Sequence, residues 1–256
     1  VRYGLLEPVR SAGGFRLYSS ADEERVRRMR SYQEQGLSAA EAARQVLAAG
    51  PVAEDRGPVV ADLAEELRAT LDRFDEDGAN RAIDRLLGAV SVESVLQEVL
   101  LPYLRILGDR WASGEVSVAQ EHFASSLVRG RLLGLARGWG AGAGPALVLA
   151  CPPGEEHDLG LIMFGIAAAR RGYRIIYLGQ DTPFETIEQA VGSVRPALVV
   201  LGVAAGASLV PQADALRTLA ARVPVAIGGS LAEGEPPGVR ILEGDPVEAA
   251  RSLDLG

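Results

Sequence analysis

The chain of 256 residues contains no lysine, one cysteine, two histidines and only 5% aromatic residues. A single cysteine, Cys151, excludes an internal disulfide framework and makes a cytoplasmic location the expectation. Without lysine, all 26 basic residues are arginine, so every contact made by a basic side chain is a guanidinium contact. Long apolar runs are missing too: the longest are broken by glycine or charge. This excludes a transmembrane helix, and no basic-then-apolar signal segment opens the chain. The chain starts at Val1, inside what reads as the end of a motif, so residues upstream are expected. At 48% hydrophobic and 23% charged, the composition suits about two soluble domains. The net charge of −8 is uneven, because the first 50 residues hold eight arginines against six acids, leaving −10 on the other 206. An acidic body cannot grip a polyanion, but a locally basic end can.

At that basic end, Ser11-Ala12-Gly13-Gly14 reads as a turn. The flanks, residues 7–10 and 15–18, can pair around it as a hairpin wing. Ser20 with Glu23, and Ser38 with Glu41, are capping-box patterns that start two helices, the first stopping at Gly36 and the second near Ala49. Residues 53–57 read as a short linker or helix entry. From Val59 to about Arg137 apolar residues recur at spacings of three and four, as in Leu63, Leu67, Leu71 and Phe74. Breaks are expected at Asp77-Gly78 and over residues 88–91, a kink or restart at Pro102, and a last helix from near Ser117. Four helices with short connections predict an antiparallel four-helix bundle over 58–138. Residues 138–144 read as a glycine-rich linker.

The periodicity then changes. Apolar runs at 146–150, 174–178, 197–203, 223–227 and, more weakly, 239–242 alternate with helical stretches. This pattern predicts a Rossmann-like, doubly wound parallel sheet over 145–256. Thr182-Pro183-Phe184-Glu185 reads as a helix start with Thr182 as N-cap. His157 falls directly after the first of these runs, at the carboxyl end of a strand, where open α/β sheets bind ligands. A neutral imidazole there can ligate a metal, with Glu155 or Asp158 taking the proton on its other nitrogen. The plainer alternative is a loop histidine that caps a helix. Cys151, at the rim of the same strand end, reads as a buried small hydrophobe, with a thiolate ligand or a covalent chromophore link as the alternative.

Three stretches carry a family resemblance. Arg2-Tyr3-Gly4-Leu5-Leu6, Pro8, Arg10 and Gly13-Gly14-Phe15-Arg16-Leu17-Tyr18-Ser19 resemble the wing of MerR-family DNA-binding regulators, especially their cobalamin-dependent branch. Glu155-x-His157-x-x-Gly160 resembles the D/E-x-H-x-x-G signature of cobalamin-binding Rossmann-like domains. Trp111 followed after nine residues by Glu121-His122 resembles the W-x9-E-H signature of CarH-type regulators. The helical bundle followed by the sheet is similar to the module shared by methionine synthase, corrinoid methyltransferases and CarH-type photoreceptors.

The resemblance implies a multi-domain protein: the C-terminal part of a winged-helix DNA-binding domain (1–52), the bundle covering the upper face of the cofactor (58–138), and the sheet domain holding the lower face (145–256). It implies that His157 is the lower axial ligand of cobalt, with Glu155 and Asp158 beside it. Gly160, Gly228 and Gly229 would leave room for the nucleotide tail, and Trp111, Glu121 and His122 would form the upper pocket. Arg10, Arg16 and Tyr18 become the candidate operator-DNA contacts, touching phosphates rather than bases. The family implies adenosylcobalamin, light as the signal, and a homo-oligomer, dimer or tetramer, that acts as a repressor rather than an enzyme. Three departures stand out. The motif begins with Glu155 rather than Asp; Ala204 occupies the position after the third strand where a serine is usual; and Ala112 stands where light-sensing members have a histidine that captures cobalt after illumination. Two other readings remain open here, a corrinoid carrier for a methyltransferase and a sensor using another tetrapyrrole such as a bilin.

Overall fold

The computed structural model describes residues 9–10, 16–17, 26, 29–30, 32–33, 37–48, 56–204, 206–229, 231, 236 and 238–255. The chain divides into two compact units, Val1–Val95 and Leu96–Gly256.

In the first unit, β1 (Val9–Arg10) and β2 (Arg16–Leu17) pair antiparallel, with Arg10 opposite Arg16. This is the hairpin expected around the glycine pair; Tyr18 lies outside the described residues. Helix α1 (Ala39–Ala48) starts as its capping box predicts, the Ser38 amide donating to Glu41 at 3.0 Å and the Glu41 amide to Ser38 Oγ at 3.4 Å. Helices α2 (Arg56–Asp72) and α3 (Glu76–Ala89) follow, burying Leu63, Leu67, Leu71, Ile83 and Leu86. Each fully buried leucine or isoleucine is worth about 1.5–3 kcal/mol over exposure. The expected break at Asp77-Gly78 is displaced. The chain reverses at residues 73–75, with Phe74 at φ +60, and Asp75 caps α3 by accepting from the Gly78 amide at 2.8 Å. Gly78 serves close approach instead: a Cβ there would stand 2.3 Å from the Asp75 carboxylate and 2.7 Å from Thr70. A short α4 (Val92–Ser94), capped by Ser91, then begins.

The division between the units falls within a π-helical stretch, Val95–Leu100, after which α5 (Leu101–Ala112) resumes with Pro102 in its first turn. Proline lacks the amide that an α-helix needs, so the expected restart takes this form. Helix α6 (Val118–Leu135) opens on a complete capping box between Ser117 and Gln120.

The sheet of the second unit contains β3 (Ala146–Ala150), β4 (Arg174–Gly179), β5 (Leu198–Gly202), β6 (Val225–Gly228) and β7 (Arg240–Leu242). All pairings are parallel, in the order β4-β3-β5-β6-β7. Every residue of β3 and β5 is buried, as expected for central strands covered on both faces. Helices α7 (Leu159–Arg170), α8 (Phe184–Val194), α9 (Ala213–Ala220) and α10 (Pro246–Arg251) complete the layers. The chain leaves β3 for β4 on one side and then crosses to β5 on the other. The loops after β3 and β5 therefore diverge, opening a crevice at the carboxyl ends of those strands.

Two local expectations need correction. Thr182 does not cap α8; the cap position is Pro183, while the buried Thr182 hydroxyl donates to the Gly179 carbonyl at 3.1 Å and closes the turn after β4. Residues 138–144 are not a loose linker. They contain a 3-10 turn, Trp139–Ala141, whose indole meets the Tyr177 ring edge-on at 5.6 Å between centroids. A Cβ on Gly165 of α7 would lie 3.0 Å from the same indole, so glycine at that position admits the tryptophan.

Candidate functional site

The loop between β3 and α7 is held by its neighbours before any ligand enters. The Cys151 amide donates to the Gly179 carbonyl and the Thr182 amide to the Cys151 carbonyl, both at 2.8 Å. The Gly154 amide reaches Asp181 Oδ1 at 2.7 Å, and Gln212 Nε2 donates to the Pro153 carbonyl at 3.3 Å. Residues 151–158 are thus tied to the loop after β4 and to the segment leading into α9.

Within this frame Glu155 accepts three hydrogen bonds. Oε1 takes the His157 amide at 2.8 Å and His157 Nδ1 at 2.7 Å, and Oε2 takes the Ala204 amide at 2.6 Å. Burial pushes the Glu155 carboxyl up, but these donors outweigh it and hold the group below its ordinary value. An ionised carboxylate can only accept, so Nδ1 carries a proton, and in the neutral imidazole this leaves the lone pair on Nε2. The His157 side chain is 80% exposed although its partner is almost enclosed. The result is a fixed, outward-facing nitrogen donor at the crevice.

The longer arm of Glu155 thus does what the shorter aspartate was expected to do. Ala204, where a serine is usual, contributes its backbone amide to Glu155 instead. That contact was invisible in the sequence, since every residue except proline has an amide.

Asp158 does not face the imidazole. Its carboxylate, 1% exposed, accepts from Arg129 Nε at 2.8 Å, pairs with Arg129 Nη2 at 2.7 Å and accepts the Tyr177 hydroxyl. Burial and the Asp158 charge push the Tyr177 phenol up, and the hydrogen bond to Asp158 raises Arg129. The Cys151 thiol is fully buried, and burial with the nearby Asp158 and Glu155 charges pushes it up to about 12. A neutral, enclosed thiol is a packing group, and neither a thiolate ligand nor a covalent link suits it.

Helix α6 brings Glu121 to this site. Burial pushes the Glu121 carboxyl up, but hydrogen bonds from Ser125 Oγ at 2.5 Å and His122 Nδ1 at 2.7 Å, with the fields of His122 and His157, leave it below its ordinary value. Glu121 therefore lies within electrostatic reach of His157, while the His122 ring is mostly exposed and turned to Glu121. Trp111, in the last turn of α5, is 51% exposed, which leaves a large apolar surface open. The glycines differ among themselves. A Cβ on Gly160 would touch only Pro246 Cγ at 3.7 Å and one on Gly228 nothing, so the fold itself does not demand glycine there. Gly229 has φ +117 and a Cβ would meet the Val203 carbonyl at 2.2 Å, so its glycine is structural. Sequence reasoning missed Arg129, Tyr177 and Ser125, and it missed the bond from the Ala204 amide to Glu155. The one available signal was the spacing of Glu121, Ser125 and Arg129, every fourth residue on one helical face.

Residues 1–49 match the MerR HTH family of regulatory proteins, and residues 63–133 match the B12 binding domain. The HTH-type transcriptional repressor CarA of Myxococcus xanthus is 37% identical over 235 residues, spanning 89% of this chain and 78% of that protein. The HTH-type transcriptional repressor CarH of the same organism is 32% identical over 245 residues, spanning 90% and 82%. The monomethylamine corrinoid protein of Methanosarcina barkeri shares the fold with a TM-score of 0.60 at 21% identity, covering 75% of this chain and 96% of that one. Together these define the class, a DNA-binding transcriptional regulator that binds cobalamin. Within that class the chain belongs to the CarA and CarH family.

Proposed function

We propose that the protein is a repressor whose grip on operator DNA is set by adenosylcobalamin, with light as the signal and a homo-oligomer, a tetramer in the dark, as the binding form. The observation that carries this reading is the exposed His157 imidazole whose Nδ1 is held by Glu155, so that Nε2 of the neutral ring would be the nitrogen offered to cobalt. The residues suit the cofactor. Among the described residues no three His, Cys, Asp or Glu side chains gather to hold a bare ion, and a corrin needs only one nitrogen from the protein because the macrocycle supplies the rest. Space at Gly160 and Gly228 suits a nucleotide tail, and the exposed indole of Trp111 suits a flat upper face. When bound, adenosylcobalamin supplies a light-labile cobalt–carbon bond. The chain's own part is to orient His157, to exclude water with Trp111, and to complete the upper pocket with Glu121 and His122. The protein acts as a regulator and not as an enzyme. At the other end, Arg10 and Arg16 stand opposite each other in the hairpin register. Arginines carried on such a wing would meet DNA phosphates, which position the protein without reading bases.

The test is a mobility shift on operator DNA with protein loaded in the dark, repeated after illumination, together with the visible spectrum. Darkness should favour the complex, and His157→Ala should weaken cobalamin binding by about 10–100-fold and change the spectrum. Unchanged affinity and spectrum in that variant refute the reading.

A further inference from the structure

We infer that Arg129, Asp158 and Tyr177 are positioning residues that lock the His157 loop to helix α6, so that the lower cobalt ligand and the upper-pocket residues of α6 move as one mechanical unit. This rests on the cobalamin reading for its consequence, though not for its geometry.

The first ground is what Asp158 leaves undone. It occupies the N-cap position of α7, where an aspartate ordinarily accepts from the helix's free amides, yet its side chain makes no capping bond. The carboxylate is turned instead to Arg129 and Tyr177, fully enclosed. The stabilisation that a capping bond would give is forgone for a long-range contact. The second ground is where the partners come from. Arg129 belongs to α6, Tyr177 to β4 and Asp158 to the residue after His157, so one carboxylate joins three elements. The third is the face of α6 that is used. Glu121, Ser125 and Arg129 follow one another at single-turn intervals, and Ser125 bonds to Glu121. The stripe that carries Glu121 thus reaches the ligand loop through the ion pair at Arg129. A carboxylate paired in a dry setting resists sliding, because separating it leaves an uncompensated buried charge.

The experiment uses the full chain as Asp158→Asn, Arg129→Gln and the double variant, with Tyr177→Phe as a milder change that removes only the phenol hydrogen bond. Far-UV circular dichroism establishes folding. Amide hydrogen exchange of the cofactor-free protein should then speed up roughly ten-fold at residues 151–157 in each of the first two variants, well above any change in β3 or β5. The double variant should be no faster, because the two residues act as a unit. Tyr177→Phe should give the same local pattern at smaller size, and it decides the matter if the charge variants do not fold. With adenosylcobalamin, the variants should shift part of the way toward the His157→Ala spectrum, with affinity falling about ten-fold. Unchanged protection at 151–157, or an even loss across the whole sheet, overturns the inference. If the parent takes up no cobalamin, the cobalamin reading has failed, and the exchange data still decide the coupling.

Discussion

Glu155→Gln keeps the shape of the side chain and removes its charge, so it isolates what the carboxylate contributes. In the parent, three donors converge on two acceptor oxygens, the His157 amide and Nδ1 on one and the Ala204 amide on the other. A carboxamide has one acceptor and one donor end. With its oxygen toward His157, its NH2 confronts the Ala204 amide; with its oxygen toward Ala204, its NH2 confronts the His157 amide and drives the imidazole proton from Nδ1 to Nε2. Either way one buried donor is left without an acceptor, at about 1–3 kcal/mol, and the surviving bonds lose charge assistance. We expect about 3 kcal/mol in all, which for a protein of this size is a fall of about 9 °C in Tm. The second orientation also puts a proton on the nitrogen that should meet cobalt, so bound cobalamin should show a mixed spectrum that moves toward that of His157→Ala. Differential scanning fluorimetry and absorption spectroscopy read the two effects. A variant with the parent's Tm and the parent's spectrum would show that Glu155 neither holds the loop nor sets the tautomer.

Gly229→Ala should destabilise the cofactor-free protein by about 3 kcal/mol in urea titration, because φ +117 and the Val203 carbonyl both oppose a Cβ, whereas Gly228→Ala should leave stability within about 0.5 kcal/mol and weaken only cobalamin binding. Asp245 caps α10 and accepts from Val247, Glu248 and Gln97; burial pushes its carboxyl up, but these donors hold it below its ordinary value of 3.8. Its contribution is therefore complete above pH 3.8 and lost as the pH falls through the lower, folded value. Asp245→Asn should cost about 1 kcal/mol at pH 7 in urea unfolding, and the gap to the parent should close in acid. Arg16→Ala should weaken operator binding evenly across sequences and flatten the slope of log affinity against log salt by about 0.9, measured by fluorescence anisotropy at several salt concentrations. With Ala112 offering no imidazole, the illuminated protein should lack a bis-imidazole spectrum and Ala112→His should gain one; such a spectrum in the parent would defeat the argument.

Some of this was legible in the residues because the governing forces are local. The five strands lie within about two residues of their apolar runs, since a central parallel strand must be apolar at every position. Ser38 and Ser117 start helices because a cap is decided within four residues. Pro102 marked its restart by what it lacks. The errors arose where a local signal met a competing partner. Asp77-Gly78 looked like a break, but Asp75 captured the helix start and turned Gly78 into a site of close approach. Thr182 looked like a cap, but the Gly179 carbonyl claimed its hydroxyl. At the site, the sequence offered Glu155 or Asp158 as the partner of His157, and the fold selects Glu155. The Arg129 and Asp158 pair was not readable, because it joins residues 29 apart in sequence, and only the fold brings them together.

The wedged indole of Trp139 turns the connection between α6 and β3 into two short tethers, residues 136–138 and 142–145, each spanning no more than about 10–14 Å when fully drawn out. Helix α6 is thereby anchored at its carboxyl end, and the Arg129–Asp158 ion pair less than two turns earlier ties the same helix to the His157 loop. From Arg129 to Leu135 is about 9 Å at 1.5 Å per residue, so the two anchorages brace the helix against tilting relative to that loop. A displacement that starts at the cofactor is therefore passed to helix and loop together rather than absorbed between them.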